Sequence, residues 1–309
     1  DWNIIFTSFT KKEWYIFLLL AGFFIASTLY VLFALSDRFE VTVPSHGGTL
    51  VEGVIGTPRY VNPVIALTDA DRDLSALVYS GLMREDENNT TVPDLAESYT
   101  ISDTGLVYTF ILKENVVFHD GEPITSDDIV FTIHAIQNAA LKSPLRIKWE
   151  GVSVEAPDPR TVVFTLKQPF VGFLENTTVG ILPAHMWNNV PDEEFAFSDF
   201  NIYPVGSGPY EVDTVAKKSS GVPESYKLRA FDEAALGKPF ISTIVVRFYP
   251  NEDERLGALK DGSIDQAAAI APEDARLLEE RGFTIETSPL PRVFGLYFNQ
   301  SKAQVLTQT

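Results

Sequence analysis

Residues 16–35 read IFLLLAGFFIASTLYVLFAL, twenty positions without a charge, opening at Ile16 and closing at Leu35. At about 1.5 Å of rise per residue this run matches a hydrocarbon core about 30 Å thick. It is apolar on every face, which suits lipid better than the one-sided burial of a core helix. A cleaved signal peptide is the rival reading, because Lys11 and Lys12 supply a basic start. The run is longer than the ~7 to 15 apolar residues of such peptides, and LFALSDRF after it is a poor small-x-small cleavage site. The pattern therefore predicts an uncleaved signal anchor. Lys11 and Lys12 on one side, against Asp37, Arg38 and Glu40 on the other, put residues 1–15 in the cytoplasm and everything beyond Leu35 outside.

Beyond the anchor the hydrophobic period switches repeatedly between two and three to four. Residues 36–48 are mixed and polar, with Pro44 and the pair Gly47-Gly48, and suit a short linker. TLVEGVI at 49–55 alternates as a strand, and GTPRYVNP after it must be an exposed loop because two prolines and Gly56 oppose regular structure. Residues 71–83 form a helical stripe through Leu74, Leu77, Val78 and Leu82, with Asp69, Asp71 and Asp73 at its amino-terminal end. Thr125 and Asp128 make an N-cap pair before a second stripe, Ile129, Ile133 and Ile136. Strands are expected at 106–112, 161–166, 208–215, 225–231 and 241–249, a tight turn at FHDGEP, and two short helices near 252–260 and 272–281. The irregular mixture predicts an α/β (mixed α+β) fold.

Composition narrows the function. With 309 residues, 22 Phe and 11 Tyr, the chain can bury a sizeable core. A net charge of -18 repels a phosphate backbone, so no nucleic-acid partner is expected. The absence of cysteine excludes disulfides, thiolate metal sites and attachment through a lipidated cysteine.

Four segments carry a resemblance. VPDLAESYTISDTGLVYTFILKENVVFHDGEPITSDDIVFTI, residues 92–133, is similar to a run of P-x-LA-x-S, a strand, F-x-DG-x-P-x-T and an acidic helix start. VGSGPYEV at 205–212 resembles a G-T-G-P-Y segment, with Ser207 in place of Thr. ALKDGSID at 258–265 resembles A-x-x-x-G-x-[IL]-D, and RVFGLYFN at 292–299 resembles a strand that leaves the first lobe. Together they resemble the extracytoplasmic solute-binding proteins of ABC transporters, family 5, the peptide and nickel class. The resemblance implies a periplasmic-binding-protein-like type II lobe with an extra subdomain. Residues 49–66 plus 180–288 would form the core subdomain, 67–179 the insertion, and 289–309 a crossover to a second lobe. The chain starts at Asp1 and stops at Thr309, so it reads as a fragment at both ends.

What the resemblance implies about function is binding without chemistry: a peptide, with permease subunits of an ABC importer as partners, no cofactor and no catalytic residue. The expected ligand-facing residues are Thr57, Arg59, Tyr60 and Asn62 in the loop after the first strand, and Phe294 near the crossing strand. Arg59 suits a carboxylate and Tyr60 stacking or a hydrogen bond. The alternatives are another solute (a nickel chelate, haem or an oligosaccharide), an anchored enzyme, or a sensor. Asp127-Asp128 and Glu193-Glu194 are weak acid–base pairs because neighbours on a helix diverge. The triplet Asp69, Asp71, Asp73 fails as a calcium loop, since its sixth position is Leu74 and its twelfth Ser80. His46, His119, His134 and His185 lack ligand-like spacing, so no metal is expected.

Overall fold

The computed structural model describes residues 10–39 and 45–287; Phe294 and the expected crossover, 289–309, lie outside the described residues. Helix α1 (Lys11–Phe39) contains the apolar run. From Lys11 to Phe33 it is long and apolar enough to cross a membrane, and none of that window is buried against the rest of the protein.

The chain then builds β1 (Gly47–Ile55), α2 (Asp69–Val78), β2 (Met83–Glu85), β3 (Thr91–Pro93), β4 (Ala96–Ile101), β5 (Val107–Leu112) and α3 (Ser126–Gln137). Next come β6 (Val152–Asp158), β7 (Thr161–Leu166), β8 (Tyr210–Lys217), β9 (Pro223–Ala230), β10 (Ile241–Tyr249), α4 (Glu252–Lys260), β11 (Gln266–Ala267) and α5 (Pro272–Glu279). Two larger sheets result. One has the order β11-β1-β10-β9-β8, the other β4-β5-β7-β6. In the first, β1 runs parallel to β10 and β11, while β9 pairs antiparallel with β10 and β8. The second is wholly antiparallel.

Alternation explains the smaller sheet. Tyr108, Phe110 and Leu112 of β5 and Val162, Phe164 and Leu166 of β7 are buried, as period two requires when one face meets a core. Phe164 packs edge-on against Phe110 and Phe173, and Trp149 lies 5.6 Å from Phe164 and from Phe173 between ring centroids. The same hydrophobic core continues through Leu74 and Val78 of α2 to Tyr226, Val246 and Phe248 under the larger sheet. A second, smaller core joins α4 and α5 to the other face of β1 and β10 through Leu256, Leu259, Ile264 and Leu278.

Local chemistry sets the helix starts. The Thr125 N–H donates to Asp128 Oδ2, and the other oxygen of that carboxylate accepts from Ala184 N–H. Ile129, Ile133 and Ile136 are buried, as the stripe predicts. The helix expected over 71–83 instead ends at Val78, with Tyr79 extended. The carbonyls of Val78, Ser80, Gly81 and Leu82 accept hydrogen bonds from the N–H groups of Gly208, Ile181, Leu95 and Ala96. Partners distant in sequence thus replace the next helical turn.

The GSGPY segment owes its glycines to this crossing. A Cβ on Gly206 would sit 2.0 Å from the Val78 carbonyl oxygen, and one on Gly208 2.6 Å from that of Leu77. His119, from the FHDGEP turn, closes the joint: its Nδ1 accepts from Gly206 N–H and its Nε2 bonds the Gly208 carbonyl. Burial lowers the pKa of this imidazole, so it is held neutral.

Candidate functional site

The loop at 56–63 leaves the carboxyl end of β1, beside the parallel strand β10, the end of an α/β sheet where ligand crevices form. One buried carboxylate shapes it. Asp71 Oδ1 accepts from the N–H groups of Arg59 and Tyr60 at 2.6 and 2.9 Å, and Oδ2 from those of Leu67 and Thr68 at 3.2 and 2.9 Å. Thr68 returns the favour by accepting from Asp71 N–H, a capping box that starts α2. Burial pushes the Asp71 carboxyl up, but the N–H groups of Tyr60, Thr68 and Arg59 together outweigh it and hold the pKa below the usual range. The acid read from sequence as a dipole partner is therefore the anchor of the loop as well.

The expected ligand residues separate by role. Arg59 is exposed and its guanidinium lies 5.7 Å from the Tyr60 ring centre. Tyr60 is half-buried against the core, and Thr57 is half-buried at the loop's start. Asn62 is fully buried. Its Nδ2 donates to Asn201 Oδ1 and its Oδ1 accepts from Val64 N–H, so it holds the loop from within. The structure brings Thr57, Arg59 and Tyr60 to one stretch of surface, with Asn62 beneath.

A groove adjoins this loop, and sequence reasoning missed it. One cavity of about 260 Å³ is lined by Pro63, Arg72, Ser75, Tyr79, Lys148 and Glu175, among others. A second, of about 560 Å³, takes in Ser80, Arg84, Asp94 and Leu236. Ala76, Tyr79 and Thr178 line both, which makes the two compartments neighbours across one wall. Ser75 Oγ and Tyr79 Oη are buried and have no hydrogen-bond partner. Burial alone pushes the Tyr79 phenol far up. Asp94 is likewise raised by burial, against lowering by a Ser80 hydrogen bond and by the Lys113 and Arg84 charges. The available signal was Ser75, a hydroxyl set between Leu74 and Val78 on the stripe that α2 buries.

Among the described residues no three His, Cys, Asp or Glu side chains are grouped to hold a metal. The groove offers a few charges at its mouth and apolar walls, while the Ser75 and Tyr79 hydroxyls are closed off from solvent. Such a surface can bind and orient a solute.

Residues 90–307 match the model of the bacterial extracellular solute-binding proteins, family 5 middle. The oligopeptide-binding protein AppA of Bacillus subtilis is 33% identical over 226 residues, 72% of this chain and 41% of AppA. The structure of AppA with a nonapeptide superposes with a TM-score of 0.66, covering 72% of this chain and 44% of that one. NikZ from Campylobacter jejuni, in complex with Ni(L-His), is 34% identical with a TM-score of 0.64, over 71% of this chain and 43% of NikZ. The chain spans less than half the length of these relatives. Its mixed α/β architecture is that of the periplasmic binding proteins, and the chain belongs to the bacterial extracellular solute-binding proteins of family 5.

Proposed function

We propose that this chain is part of the substrate-binding component of an ABC importer, which captures oligopeptides outside the cell and delivers them to the permease. The observation that carries the reading is the likeness to AppA, which holds a nonapeptide, over 72% of this chain. The groove agrees with it: peptide amides need polar partners, while varied side chains need room. The loop carrying Thr57, Arg59 and Tyr60 would face the solute, with Asn62 bracing it from beneath and Phe294 as a further contact. Closure of a second lobe over this surface would be favoured only when ligand contacts bridge both.

Residues 49–66 plus 180–288 and residues 67–179 would be the two subdomains. In support, the five-stranded sheet is drawn from the first set and the four-stranded sheet from the second. Residues 16–35 would anchor the protein with residues 1–15 in the cytoplasm, raising its effective concentration beside the permease. The exposure of every side chain from Ile16 to Leu20 supports contact with lipid.

A nickel–amino-acid chelate is the second reading, favoured by the comparable likeness to NikZ. Thermal unfolding of the full-length protein against peptide pools, oligosaccharides and nickel–histidine separates them. A specific ligand at a hundredfold excess over its Kd raises stability by about 2.7 kcal/mol. Stabilisation by peptides alone is expected; stabilisation by the chelate alone replaces the first reading with the second, and no stabilisation by any pool contradicts both.

A further inference from the structure

We propose that His119 is a proton-operated latch: protonation of its Nδ1 releases Gly206 and loosens the joint at which segment 206–208 crosses the end of α2. This device is independent of which solute the chain takes.

The bonding fixes which hydrogen the ring carries. A backbone N–H can only donate, so the bond from Gly206 N–H at 3.2 Å leaves Nδ1 without a hydrogen. Nε2 then carries it and donates to the Gly208 carbonyl at 3.1 Å. The backbones are tied as well, His119 N–H to the Gly206 carbonyl at 2.8 Å. Phe231, whose N–H donates to the Pro209 carbonyl, packs edge-on to the imidazole with ring centroids 4.8 Å apart. Only the neutral ring with its hydrogen on Nε2 meets all of this. A second proton must go to Nδ1, where it faces the Gly206 N–H, leaving two donors and no acceptor. The Nε2 bond survives protonation, so the release falls on Gly206 first.

The charges acting on the ring are Glu211 of β8 and Asp120 of its own turn; both favour the proton, and burial outweighs them. Asp120 is itself bonded to His185 Nε2. The Tyr79 phenol, on a ring that a Cβ at Gly206 would touch, stays neutral because burial pushes its pKa far up. With the joint shut the imidazole therefore resists protonation, and once released it titrates near the ordinary value of about 6.5. Release then becomes up to about tenfold more favourable for each pH unit below that value, until the shut form itself takes the proton. The larger cavity straddles the same joint. It is lined by Ser80, Arg84 and Asp94 on one side and by Pro209, next to Gly208, on the other, so acid changes its shape.

The test follows amide hydrogen exchange of the full-length protein in detergent from about pH 7 to about pH 5, the range in which histidine changes charge. After correction for the intrinsic exchange rate, protection at Gly206 should fall by up to about tenfold per pH unit, while that of β5 stays constant. His119→Gln supplies an acceptor and a donor but does not titrate, and should make protection at Gly206 independent of pH. Magnetic resonance of the wild type with nitrogen-labelled histidine decides the matter even where the variant fails to fold. The His119 ring should carry hydrogen on Nε2 alone at neutral pH and gain the second proton over the range in which Gly206 is released. A ring with hydrogen on Nδ1 at neutral pH, protonation that leaves Gly206 protected, or the same pH dependence in wild type and variant overturns the latch. An equal loss of protection in β5 overturns it too, because acid would then act on the whole fold.

Discussion

The loop at 56–63 and the groove beside α2 are neighbours built on opposite rules. In the loop polar groups are met: Asp71 takes up four backbone N–H groups and Asn62 is bonded at both ends of its amide. Beside the groove two hydroxyls closed off from solvent are left unmet. The first region has its geometry fixed in advance, while the second leaves two polar groups buried without a hydrogen bond, at a cost to stability. A rigid frame limits the ordering that a ligand must impose.

Breaking the frame should produce the largest effect. Asp71→Ala strands four backbone donors, two of them on the loop, and should cost about 3 to 5 kcal/mol in denaturant unfolding. Because the folded pKa of Asp71 is depressed, its contribution is present above the unfolded value near 3.9 and is lost as pH falls through the folded value. The wild type should therefore lose stability in that acid range, and the variant should lose less. Next in size is Gly206→Ala, whose new methyl meets the Val78 carbonyl; a cost of about 1 to 3 kcal/mol is expected from overpacking. Unchanged stability there would mean that the crossing of 206–208 over the end of α2 is loose.

His119 gives a smaller, pH-dependent effect. Its folded pKa is lowered by burial, with the Gly208 bond and the Glu211 and Asp120 charges opposing. The unfolded chain therefore binds the proton more readily, so stability is full above the unfolded value near 6.5 and falls as pH drops through and below it. His119→Gln should flatten the stability profile between pH 7 and pH 5, and an equal slope would relocate the effect elsewhere. Smallest of all is Tyr79→Phe without ligand. Removing an unpartnered hydroxyl should leave stability within about 0.5 kcal/mol of the wild type or raise it. A clear loss would show that the hydroxyl has a partner in the free protein and would erase the contrast between loop and groove.

Much of this architecture was legible because it rests on local pattern. Alternation located β5, β7 and β10, the pairing of Thr125 with Asp128 marked the start of α3, and the four family segments pointed to the fold. What escaped reading depends on partners distant in sequence. The end of α2 at Val78 is set by hydrogen bonds from residues 95, 181 and 208, which no local window contains. Strand β4 has exposed residues at most positions, so its alternation is faint, and β6 carries Pro157. Of the candidate site, the loop was expected from its resemblance to the family's ligand-facing loop after the first strand. The groove was not, because Lys148, Glu175 and Tyr79 come from three separate segments. Asn62 looked like a ligand contact on the chain's surface, and only tertiary structure shows it buried.

The most direct test is a structure of the full-length protein with a peptide that stabilises it. The account predicts that the peptide lies against Arg59 and Tyr60 beneath a closed second lobe. A peptide bound away from that loop would contradict it.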